Sequence, residues 1–113
     1  MLEQLIQEKK VRTAELKDYR RTLYGIRATR FLLVNALSDT KQMRKQADRE
    51  SNFEHVGMAH RCLNVLRKEL VIVEGRYKGA CAQLSFIGSQ LVRLNTLIEE
   101  ETARKESANA AQA

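Results

Sequence analysis

Apolar residues recur at alternating steps of three and four between Leu63 and Ile98: Leu63, Leu66, Leu70, Val73, Tyr77, Ala80, Leu84, Ile87, Leu91, Leu94 and Ile98. Residues three and four apart share one face of a helix. Sustained over five heptads, this spacing predicts a long α-helix with a coiled-coil seam. A second series runs through the first half of the chain: Leu2, Leu5, Lys9, Arg12, Leu16, Tyr19, Leu23, Ile26, Arg30, Leu33, Leu37 and Thr40. Lys9, Arg12 and Arg30 interrupt it. Their methylene stems can cover a seam while the charge stays at its edge. Ser38, Asp39 and Thr40 are weak helix formers and predict an end or a bend there.

The phase fails between Asp48 and Gly57. The step from Ala47 to Ala59 fits neither a continuous seam nor the usual three- or four-residue insertion. Ser51 followed by Glu54 has capping-box spacing, which predicts a new helix with Ser51 as its N-cap. The expected fold is therefore all-α, a long antiparallel two-helix coiled-coil hairpin. Its first helix covers about 2–49, its turn about 50–53 and its second helix about 54–105. The hairpin thus occupies 1–106, with a flexible tail over 107–113. Folding the chain at residues 51–52 sets Leu37 opposite Leu66, Leu33 opposite Leu70 and Ile26 opposite Tyr77. The same register brings Arg30 beside Val73 and Glu74.

A lone hairpin needs one apolar stripe per helix, and this chain carries more. Tyr24, Ala28, Phe31, Leu32 and Val34 lie outside the first seam; Met58, Val65, Val71, Ile72, Cys81 and Phe86 lie outside the second. Gly75, Gly79, Ala82 and Ser89 add a stripe of small residues near Phe86, of the kind that lets another backbone approach. Two helices alone bury little surface per residue ordered, so a further interface is expected. The expected protein interface is Phe31, Leu32, Val65, Ile72, Gly75, Gly79 and Phe86. Self-association into a helical bundle, a homodimer or higher, is its simplest use, and a different protein target is the other.

Composition agrees with a helical rod. The chain has no Pro among its 113 residues, 43% hydrophobic residues and 30% charged ones. Its net charge of +6 is uneven, with twelve basic residues between Lys9 and Arg49 against four acidic ones. Lys17, Arg20, Arg21, Arg27, Arg44 and Lys45 are the expected polyanion contacts, which would give phosphate affinity without sequence specificity. Aromatic interleaving is sparse (Tyr19, Tyr24 and Phe31), so stacking on single strands fits the sequence poorly.

No catalytic constellation is present, and an enzyme is not expected. His55, His60 and Cys62 do not share a helical face, and Gly75 and Gly79 follow no strand, so neither a metal, a cofactor nor a small-molecule substrate is implied. Glu99, Glu100 and Glu101 read as a solvated acidic turn. Cys62 and Cys81 stand about 28 Å apart along one helix and are expected as buried or half-buried free thiols. The apolar runs Phe31–Val34 and Leu70–Val73 are too short to span a bilayer, and the N-terminus lacks a secretory pattern. A soluble cytoplasmic protein is expected, in the host cytoplasm for a chain of viral origin. Helical hairpins of this kind include RNA-binding regulators, secretion chaperones and small viral accessory proteins, an analogy of architecture that carries no function. The expected role is a non-enzymatic adaptor, inhibitor or assembly factor. The alternative is a nucleic-acid-binding regulator that uses the basic first helix.

Overall fold

The computed structural model describes residues 1–112. Helix α1 spans Leu2–Arg49 and helix α2 spans Phe53–Gln112, with no strand among the described residues. The fold is a long antiparallel helical hairpin. It divides into two compact units, Leu23–Gly79 and Met1–Thr22 with Ala80–Ala113.

The unit Leu23–Gly79 contains the turn. Its core is Leu37, Ala47, Ala59, Leu63 and Val73, with the Thr40 side chain buried among them. Ile26, Leu33, Leu66, Leu70 and Tyr77 flank this line half-buried. These are the seam residues of both heptad series, and the cross-helix contacts keep the expected register. Arg30 and Glu74 form a 2.7 Å ion pair, and Thr40 Oγ1 lies 4.0 Å from Cys62 Sγ.

Helix α1 does not end at Ser38–Thr40. Thr40 is helical, and its hydroxyl donates to the Ala36 carbonyl at 2.7 Å, which satisfies a buried polar group inside the helix. Tertiary packing of Leu37, Thr40 and Ala47 overrides the weak local propensity.

The turn also differs from the capping box read from the sequence. Ser51 has φ 55°, in the left-handed region. Its amide donates to Asp48 O at 3.1 Å, and the Asn52 amide donates to Ala47 O at 2.8 Å. This is the Schellman arrangement at the end of α1, with Ser51 at the position that usually takes Gly. The N-cap of α2 is Asn52. Its Oδ1 accepts the His55 amide at 3.2 Å, and its carbonyl accepts the first helical bond, from Val56 N at 3.0 Å. One short segment thus ends α1 and starts α2, so no longer loop is needed.

In the other unit, Ala80, Ile87 and Leu94 of α2 are buried. Leu2, Leu5, Leu16 and Tyr19 of α1, and Leu84, Leu91 and Ile98 of α2, are half-buried. Arg12 occupies a seam position by turning its charge along its own helix, with Nη1 donating to both Glu15 oxygens at 2.9 and 2.8 Å. Helix α2 runs past the predicted end near residue 105 to Gln112, through Ala108, Ala110 and Ala111, which favour helix even when exposed. Residue 113 of the predicted tail lies outside the described residues.

Candidate interaction surfaces

Helical periodicity and two grooves near the turn define two opposite sides of the unit Leu23–Gly79. One groove is lined by Thr40, Met43, Gln46 and Glu50 of α1 and by His55, Met58 and Cys62 of α2. Following α1 back at steps of three and four from Met43 gives Asp39, Ala36, Leu32, Thr29 and Gly25. Following α2 forward from Met58 gives Cys62, Val65, Glu69, Ile72, Arg76 and Gly79. This side is apolar at its centre. Leu32, Met43, Met58, Val65 and Ile72 are all exposed on it, Ile72 with 48% of its surface accessible.

The second groove is lined by Arg44, Lys45 and Asp48 of α1 and by Phe53, Val56, Gly57 and His60 of α2. The same steps lead from it to Lys41, Val34, Phe31, Arg27 and Tyr24 on α1, and to Arg67, Val71, Glu74 and Lys78 on α2. This side is basic. The off-seam basic residues of α1 within the unit, Arg27, Lys41, Lys45 and Arg49, stand on it or on the outward face of the helix. Not one basic residue of α1 falls on the apolar side, where Asp39 and Glu50 are the charged groups.

The seven residues expected to form one interface are therefore spread over several faces. Leu32, Val65 and Ile72 share the apolar side, and Gly79 continues their line. Phe31, adjacent to Leu32 in sequence, points about 100° away around the helix and belongs to the basic side. Gly75 lies on the outward face of α2. A Cβ built on Gly75 or Gly79 meets nothing within 4 Å, so neither glycine is required by a close approach within the chain. Phe86 belongs to the other unit, where it is exposed.

The polyanion candidates divide likewise. Lys17, Arg20 and Arg21 are exposed in Met1–Thr22, where Lys17 shares a shallow groove with Ile6, Lys9 and Lys10. Arg27, Arg44 and Lys45 belong to Leu23–Gly79. The Arg27 guanidinium lies over the Tyr77 ring, 5.9 Å from its centroid, and Arg30 approaches the same ring to 5.5 Å. Arg44 is half-buried beside the exposed Lys45.

Tyr24 and Phe31 share the basic side, an arrangement that the sequence alone did not single out. Helical spacing carries the signal for it: they stand seven apart with Arg27 between them, while Tyr19 falls in the seam.

Both cysteines are free thiols, Cys62 exposed and Cys81 half-buried. Cys62 was expected at least half-buried, but it sits at the edge of the groove, outside the seam. No group of three His, Cys, Asp or Glu side chains placed to hold a metal occurs among the described residues. No helix among them is long and apolar enough to cross a membrane. No family model, curated protein or solved structure matches this chain.

Proposed function

We propose that the chain is a non-enzymatic protein-interaction module, an adaptor, inhibitor or assembly factor, that self-associates through the apolar side of Leu23–Gly79. The observation that carries this reading is the row Met58, Val65 and Ile72 on α2, one per heptad, exposed beside Leu32 and Met43 of α1. Such a row is a second seam, and a seam is stable when another helix covers it.

A second copy, turned about an axis parallel to the helices, sets α1 of each chain over α2 of the other and makes a four-helix bundle. Leu32 then lies level with Ile72 of the second copy. Asp39 lies level with Val65 of that copy, between the turns that carry Arg61 and Lys68. The acidic, cation-free character of α1 on this side suits a neighbour with basic flanks.

Light scattering on a sizing column tests the proposal. The wild-type chain is expected as a dimer, and Ile72→Asp as a monomer with unchanged helicity by circular dichroism. A monomeric wild-type chain, or a dimer indifferent to both Ile72→Asp and Val65→Asp, would refute self-association through this side.

A further inference from the structure

The basic side of Leu23–Gly79 is not used by the apolar contact proposed above, and its chemistry is different. Tyr24 and Phe31 are 75% and 65% exposed, among the most exposed large side chains of the unit. They stand one heptad apart on α1, about 10 Å along the helix axis. That separation makes them two stacking positions and not one. On the same side of the unit lie Arg27 between the rings, Lys41 and Lys45 about 15 and 21 Å further along α1 from Phe31, and Arg67 and Lys78 of α2, against Asp48 and Glu74. Glu74 is already paired with Arg30. A strand laid along α1 across both rings continues over Lys41 and Lys45 toward the turn.

We propose that this side binds single-stranded nucleic acid, with bases stacked on Tyr24 and Phe31 and phosphates held by Lys41, Lys45, Arg67 and Lys78. Charge complementarity supplies attraction to any polyanion. The rings select among them. A duplex offers its phosphates but keeps its base faces stacked inside. An acidic peptide has no planar π-surfaces with the spacing of its charges. A single strand brings both at once, and ring stacking tolerates any base because every base has a π-face. Segregation of charge on α1 supports the same assignment. Basic residues scattered only for solubility would appear on both sides of α1, and here the apolar side of that helix has none, the basic residue Arg76 on that side belonging to α2.

Fluorescence anisotropy decides it, with labelled oligouridine, labelled oligothymidine, a mixed-sequence DNA duplex and labelled polyglutamate, each titrated with the full chain at low and high salt. Either single strand is expected to bind more tightly than the duplex or polyglutamate and to weaken steeply with salt. The tighter of the two strands assigns RNA or DNA as the ligand. Replacing Tyr24 and Phe31 together by Ala is expected to weaken single-strand binding tenfold or more, about one to two lost stacking contacts. Lys41→Glu with Lys45→Glu is expected to weaken all polyanions and flatten the salt dependence. All four positions are exposed, so helicity is expected to be unchanged, and circular dichroism checks it. Absence of binding at low salt would overturn the proposal. So would a duplex or polyglutamate bound as tightly as the single strands, or single-strand binding indifferent to the loss of both rings. The Ile72→Asp variant separates this inference from self-association, because it alters the opposite side and should keep its strand affinity per chain.

Discussion

Arg30 Nε and Glu74 Oε1 form an ion pair at 2.7 Å, and the Arg30 guanidinium lies 5.5 Å from the centre of the Tyr77 ring. A seam position of α1 is thus filled by a cation that meets an anion and an aromatic face on α2. Both charged side chains are partly exposed, at 45% and 36%, so the ion pair contributes about 0–1 kcal/mol. The ring adds about 0.5–1 kcal/mol. Register is the larger consequence. A slide of one heptad would set Arg30 against Arg67 or Cys81 in place of Glu74, while the apolar layers would still match. A polar group in a seam discriminates between registers that apolar layers alone leave nearly equal.

Unequal effects of truncating the two partners follow. Arg30→Ala is expected to destabilise the fold by about 1 kcal/mol, and Glu74→Ala by less, because only the first also removes one of the two guanidinium groups over Tyr77. Urea unfolding of the two single variants and the double variant measures the coupling, which should shrink at high salt. Equal losses would mean that the contact with Tyr77 adds nothing.

Ser51 carries backbone strain that a glycine would remove. At φ 55° an L side chain crowds its own carbonyl, at a cost of about 1–2 kcal/mol relative to glycine in that conformation. Ser51→Gly is expected to raise stability by about 1 kcal/mol, part of the gain being offset by glycine's freedom in the unfolded chain. Ser51→Val is expected to lower it, since a branched side chain fits the left-handed region worst. Denaturant midpoints at constant m-value give both numbers. A loss on Ser51→Gly would contradict the turn geometry.

Asn52, not Ser51, is expected to behave as the cap. Asn52→Ala removes the acceptor for the His55 amide and should cost about 1 kcal/mol, while Ser51→Ala should be nearly neutral. The two substitutions in parallel separate the assignments. A larger loss at Ser51 would restore the capping box with Glu54.

The strictly periodic parts were legible before any coordinates. Every seam residue from Leu63 to Ile98 is buried or half-buried, because a 3,4 spacing of apolar side chains leaves one solution for which face turns inward. The pairing of Arg30 with Glu74 was legible too, since a hairpin closed near residues 51–52 sets the register along its length. The chemistry of the turn was not. Ser and Asn can each cap a helix, and a residue that adopts the left-handed conformation without being glycine leaves no compositional mark. The continuity of α1 through Thr40 was hidden for a related reason: a buried threonine satisfies its hydroxyl on its own helix, and propensity scales do not see that bond.

The two surfaces were only half legible. Leu32, Val65, Ile72, Phe31 and Tyr24 were named from the sequence, whereas Met43, Phe53, Arg67 and Lys78 were not, and a list of off-seam apolar residues merges what the helix separates. Phe31 and Leu32 are neighbours in sequence and face different sides, and the side of the hairpin each belongs to is set by which flank of α1 meets which flank of α2. The grooves containing Met43 with Met58, and Lys45 with Phe53, supply that handedness.

Leu63 provides the sharpest test of the core beneath those surfaces. Its side chain is fully buried, the only large one so buried among the described residues, while Leu97 in the same helix is 36% exposed. Leu63→Ala removes buried methyl groups and leaves a cavity between two helices that can close only by breaking register, so a loss of about 2–5 kcal/mol is expected. Leu97→Ala, with solvent on one side and no cavity to leave, is expected within about 1 kcal/mol of wild type. Thermal melts followed by circular dichroism compare them at equal protein concentration, which matters because self-association would itself raise the melting temperature. A hairpin of two helices has little stability in reserve, so Leu63→Ala should lose its cooperative transition while Leu97→Ala keeps it. Equal, shallow shifts would mean that the helices slide past the lost side chain, and that the unit around the turn is held by contacts outside its own seam.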